Sequence, residues 1–149
     1  KKGGSKMTEF KSVTPREVIM GKLSYNGDLL EELTKVAASR GVVLGRIEAI
    51  GAVQKARIGF YNQETREYRF LVFDQALEIV KLAGNISLKD GKPFVHAHIT
   101  LADESGKSYG GHLAEGTIVF ACEFVLEVFD GPAFNRCPDK ETGLTLWSI

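Results

Sequence analysis

All three histidines of this 149-residue chain fall between Pro93 and Leu113, in PFVHAHITLADESGKSYGGHL. Residues 93–101 alternate as a strand does, with Phe94, His96, His98 and Thr100 on one face and Val95, Ala97, Ile99 and Leu101 on the other. The second set is wholly apolar and is expected to face the core. His96 and His98 then stand together on the opposite face, roughly 7 Å apart at about 3.3 Å of rise per residue, within reach of one ion. Asp103-Glu104-Ser105-Gly106-Lys107 is rich in turn formers, so a hairpin is expected to carry His112 back past the pair. Three neutral imidazoles with a position left open make the ligand set of a catalytic or exchangeable zinc, unlike the closed four-ligand structural site. Zinc suits imidazole first, with nickel, copper and iron as the other candidates. A water, a carboxylate or a small-molecule substrate could fill the open position. Against this stands the bland alternative of three separate surface or sheet-packing histidines. Three of three on one hairpin favour the ion.

Other residues near the histidines carry weaker signals. Asp103, Glu104 and Glu115 are the carboxylates nearest in sequence, able to orient a ring nitrogen or to act as a general base, although hairpin acids are more often simply solvated. Gly110-Gly111 is poor evidence for a phosphate cradle without a following helix or lysine. It reads better as a place where backbones pass closely, or as a bulge that aims His112. Glu78 is expected to pair with Arg57 or Lys81. No nucleophile and base stand at a telling spacing, which argues against assigning an enzyme. Cys122 lies in an apolar run and reads as core, and with Cys137 it is too little for a disulfide framework or a zinc ribbon. Trp147 is expected to anchor on the core or at a subunit interface.

The elements that must position the hairpin are mostly strands. The spacing of Leu29, Leu30, Leu33, Val36 and Ala37 predicts one principal helix over about Asp28 to Arg40, started by Asp28 with Glu31 and stopped by Gly41. Thr8 to Thr14 and Glu17 to Lys22 read as short strands broken by Pro15. Val42 to Ile50, Gln54 to Tyr61, Tyr68 to Phe73 and Leu77 to Leu88 follow, and Lys89-Asp90-Gly91-Lys92 is a turn into the histidine strand. Thr117 to Phe129 is apolar on both faces and needs cover on both. A single helix cannot supply it, so a second copy of the chain is expected to bury part of this surface.

Composition sets the outer limits. A 44% hydrophobic and 26% charged chain of this length is expected to form one domain. KKGGSK, residues 1–6, reads as an added leader ahead of Met7, which leaves residues 7–149 as the domain. No apolar run approaches ~20 residues and no charged-then-apolar leader opens the chain, so no membrane association and a cytoplasmic address are expected. Nineteen basic residues balance nineteen acidic ones. A protein that grips duplex DNA by itself usually shows a basic excess, because counterion release supplies most of the affinity.

The ordered series Leu77 to Ser87 (LEIVKLAGNIS), Asp90-Gly91-Lys92-Pro93, His96-Ala97-His98, Gly110-Gly111-His112-Leu113 and Gly116 resembles the plants-and-prokaryotes conserved domain, the PPC family. The resemblance spans nearly all of residues 7–149. It implies a small α+β fold with a mainly antiparallel sheet and one principal helix packed on it, and a homotrimer. Plant members join this domain to separate AT-hook segments and associate with DNA in the nucleus. Stand-alone prokaryotic members, which this chain resembles more, are commonly regarded as DNA-binding without an established activity. Plant members tend to lack histidines at the positions of His96, His98 and His112, so their DNA association does not explain these residues. Three readings follow from residues and resemblance together: a DNA-associated or regulatory protein with a metal site, a metal-dependent enzyme, and a small-molecule or metal sensor.

Overall fold

The computed structural model describes residues 7–149, and the expected leader, residues 1–6, lies outside them. Asp28 starts the helix as its sequence predicts: its carboxylate accepts from the Glu31 N–H at 3.1 Å and from the Gly116 N–H at 2.7 Å. Helix α1 runs Leu29–Ser39 and buries Leu29, Leu33 and Ala37, while Gly41 ends it at a positive φ of 62°. Everything else regular among the described residues is β.

Nine strands make one sheet: β1 Thr14–Lys22, β2 Gly45–Asn62, β3 Glu67–Phe73, β4 Leu77–Lys89, β5 Lys92–Ala102, β6 Ser108–Leu113, β7 Ile118–Asp130, β8 Asn135–Pro138 and β9 Thr145–Ser148. Their order is β1-β7-β2-β6-β5-β4-β8-β9, with β3 on β2 and a further β2–β4 pairing. The expected α+β architecture with a mainly antiparallel sheet is therefore present; only the β4–β8 contact is parallel. The first half of β2 lies between β7 and β4, and its second half lies between β3 and β6. Because β6 leads through β5 to β4 and back to β2, these strands close a ring. Val53, Ala56, Ile58, Leu82, Ile86, Ile99 and Leu101 of these strands are all buried in one core cluster, which Leu126 of β7 and Leu29, Leu33 and Ala37 of α1 join.

Two expectations fail here. Residues 7–13 form no strand, and β1 instead passes straight through Pro15 with a register shift between Pro15 and Glu17. The missing N–H of Pro15 costs little at the start of an edge strand, and the bulge absorbs its fixed φ. The segments expected as Val42 to Ile50 and Gln54 to Tyr61 are one strand, β2. Gly51, at φ 147° and against the Ala121 carbonyl, absorbs the bend that other residues would resist.

The apolar alternation of β7 does bury Val119, Cys122, Phe124, Leu126 and Val128, yet Phe120 and Val125 stay exposed. Val125 shares an outer surface with Met20, Ile50 and Val80, which are 75%, 57% and 53% exposed. Strand β1 is exposed along nearly its whole length, with Ile19 alone half-buried.

Candidate metal centre

Strands β5 and β6 pair in regular antiparallel register, Leu101 opposite Tyr109, Ile99 opposite Gly111 and His98 opposite His112. Regular register fixes the side-chain faces. Val95, Ala97, Ile99 and Leu101 go into the core and His96 and His98 out of it, as the alternation predicts. His112 joins them from the neighbouring strand, and on its other side it pairs with Gly59 of β2. Gly110-Gly111 makes no bulge. Gly111 instead permits close approach, since a Cβ there would lie 2.8 Å from the Gly59 carbonyl oxygen. Gly59 in turn leaves room for the Tyr68 ring, whose centroid is 5.0 Å from that of His112.

The three imidazoles form a triangle. Ring centroids are 5.2 Å apart for His96–His98, 5.2 Å for His96–His112 and 5.7 Å for His98–His112. One nitrogen of each lies within 4.8 Å of the others. Tetrahedral zinc at about 2.0–2.1 Å from each ligand needs nitrogens ~3.3 Å apart, a closure of at most about 1 Å for each ring that small side-chain torsions supply. The donor chemistry fits a divalent ion. Burial lowers the pKa of His96 to about 4, with the Arg136 charge and the neighbouring His112 and His98 adding to the effect. Burial, His98 and Arg136 lower that of His112. His96 is thus neutral at pH 7 and able to donate a lone pair. Among the described residues His112 Nδ1 is the buried side-chain polar atom left without a hydrogen-bond partner, a cost that an ion or a water would relieve.

The triangle opens into a cavity of about 600 Å³ walled by β2, β3 and the C-terminal hairpin β8–β9, with Tyr61, Tyr68, Phe94, Arg136 and Leu146 among its lining. Arg136 enters from β8. Its Nε–H donates to Ser87 Oγ at 3.0 Å, Nη2 to Asn85 Oδ1 at 2.9 Å and Nη1 to the Thr145 carbonyl at 3.2 Å. Trp147 also donates to Ser87 Oγ, at 3.1 Å, and packs edge-on against Phe134, so it anchors the hairpin that forms this wall.

Several sequence expectations do not meet at the site. Asp103 accepts from the N–H groups of Ser105 and Lys107 and from the Ser105 and Tyr109 hydroxyls, holding the β5–β6 turn together rather than orienting an imidazole. Glu104 is exposed beside that turn, and Glu115 offers its backbone carbonyl to Arg57. Lys81 lies 3.7 Å from Glu48, and the Arg57 guanidinium stacks over Phe70, so neither forms the expected pair with Glu78. Arg136 also lines the site, and the sequence gives no sign of it. Nothing in Asn135-Arg136-Cys137-Pro138 signals that tertiary pairing will bring it to the histidines; only the Phe94–His96–His98 face, already visible, marks the surface it covers.

A family model described as the Plants and Prokaryotes Conserved (PCC) domain matches residues 10–130. The chain belongs to that family. A metal-containing protein from Archaeoglobus fulgidus is 38% identical, with a TM-score of 0.91 over 95% of this chain and 100% of that one. A plant- and prokaryote-conserved (PPC) protein from Pyrococcus horikoshii is 32% identical, with a TM-score of 0.90 over 95% of this chain and 98% of that one. A candidate DNA-binding protein from Bacteroides thetaiotaomicron shares the fold at 24% identity and a TM-score of 0.82, over 91% of this chain and 96% of that one. The bifunctional protein GlmU of a Synechococcus species is 33% identical over 118 residues, which are 78% of this chain and 17% of that protein. The PPC chain thus spans about a sixth of the curated relative it matches.

Proposed function

We propose that this PPC protein is a regulatory protein whose working centre is a divalent ion, zinc first, held by His96, His98 and His112 with coordination positions open to the cavity. The observation that carries this reading is the convergence of one nitrogen from each of three histidines within 4.8 Å, one ring having an orphaned buried nitrogen. Similarity to a metal-containing protein at 38% identity supports it. Such an ion supplies Lewis acidity and exchangeable ligand positions. This chain's residues hold it, and the β8–β9 wall bounds the cavity that selects what enters. The cavity favours sensing over hydrolysis, because no carboxylate among its lining residues stands ready as a general base. The family's link to DNA enters through partners or a surface away from the histidines, since a chain of zero net charge is poorly suited to hold duplex DNA alone.

Residues 7–149 act as one domain in this reading, because β8 and β9, beyond the matched residues 10–130, complete the wall of the site. Among the described residues no helix is long and apolar enough to cross a membrane. The test is metal analysis of the purified protein beside His98→Ala. Close to one divalent ion per chain is expected in the first and a large loss in the second; equal content in both sinks the proposal.

A further inference from the structure

Acids and bases balance over the whole chain, yet none of the acids lines the histidine cavity, while Arg66, Lys89 and Arg136 do. Arg136 is the one built into place. Asn85, which holds its Nη2, is directly opposite His96 in the β4–β5 register, so the guanidinium sits beside the triangle. Lys89 Nζ and the Arg136 guanidinium each lie 5.2 Å from the centre of the Phe94 ring. The three groups that accept from Arg136, namely Ser87 Oγ, Asn85 Oδ1 and the Thr145 carbonyl, are all neutral. A guanidinium has five N–H donors, so two remain, one on each terminal nitrogen.

A divalent ion on three neutral imidazoles adds two positive charges with no protein carboxylate to offset them. Partly buried charge of one sign is costly, and an anion drawn from solution relieves it. The two remaining N–H donors of Arg136 and its fixed charge are available to a carboxylate. Phosphate sites are commonly built on helix N-termini, and here the start of α1 is already satisfied by its own Asp28. A cavity of about 600 Å³ with Phe60, Leu144 and Leu146 in its wall suits a small molecule with an apolar body. Resting on the metal reading, the geometry points to a small organic carboxylate as the ligand of this cavity, its carboxylate on Arg136 and a second oxygen at the open position of the ion.

Cobalt(II)-loaded protein titrated with pyruvate, and in parallel with its neutral isostere pyruvamide and with inorganic phosphate, tests this. Calorimetry should show saturable pyruvate binding that perturbs the visible cobalt bands, with pyruvamide at least about tenfold weaker. Arg136→Met should weaken pyruvate by a similar factor at unchanged cobalt content, and Arg136→Lys, which keeps the charge and loses the guanidinium donors, should fall between. Should Arg136→Met fail to fold, the wild-type comparison and Arg136→Lys still decide. Equal binding of pyruvate and pyruvamide, or tighter binding of phosphate than pyruvate, on fully loaded protein overturns the carboxylate assignment while leaving the metal reading intact. Failure to retain cobalt overturns the metal reading itself.

Discussion

Burial, followed by the Arg136 charge and the neighbouring imidazoles, holds the His96 pKa at about 4, and this has a consequence for the metal-free protein. Above pH 6.5 the ring is neutral whether the chain is folded or unfolded. Between 6.5 and about 4 the unfolded chain takes up a proton that the folded one refuses, so stability falls as the pH falls. Below about 4 both forms are protonated and the loss stops growing. The lowered pKa of His112 acts in the same direction. Urea unfolding of metal-free protein should therefore show a lower midpoint at pH 5 than at pH 7, and His96→Gln should reduce the difference. An identical pH dependence in wild type and His96→Gln would contradict this account of the site's electrostatics.

Strands β5 and β6 owe their precision to a glycine. A Cβ on Gly111 would stand 2.8 Å from the Gly59 carbonyl oxygen, a backbone atom that cannot rotate away, whereas one on Gly110 would meet its nearest atom, the Ile99 carbonyl oxygen, at 3.3 Å. Gly111→Ala should cost about 1–3 kcal/mol and lower the melting temperature by several degrees, with Gly110→Ala milder. Thermal unfolding checks it; a Gly111→Ala protein as stable as wild type contradicts the close β2–β6 approach. These strands were also the most legible part of the sequence, because period-two alternation and a turn-rich pentapeptide are local signals that burial on one face enforces. Helix α1 was legible for the same reason, its apolar stripe and Asp28 cap lying within a few residues. The long β2 was less so, since a bend at Gly51 looks locally like a break, and Pro15 looks like a stop unless one knows that its strand lies on an edge. Arg136 was illegible. Its approach to His96 depends on how β8 docks onto β4 through a single backbone pair, Leu88 with Asn135.

In the molecule as a whole, β1 and the outer face of β2, β4 and β7 leave Met20, Ile50 and Val80 more than half exposed in one connected surface. A second copy of the same chain is the occupant that a closed ring provides, each copy burying the same patch. We expect a homotrimer, three times 16.4 kDa, by light scattering at micromolar concentration. Ile50→Asp should shift the mass toward one chain, since burying an unpaired carboxylate at such a contact is strongly unfavourable. A wild-type mass of one chain would refute the assembly, and a dimer would refute the threefold ring. Native mass spectrometry of the purified protein reads the occupancy of the metal centre itself. One divalent ion is expected for every chain in the assembly, retained on exchange into volatile buffer and lost in His98→Ala; a wild-type protein that flies at its bare polypeptide mass after incubation with excess zinc would rule the centre out.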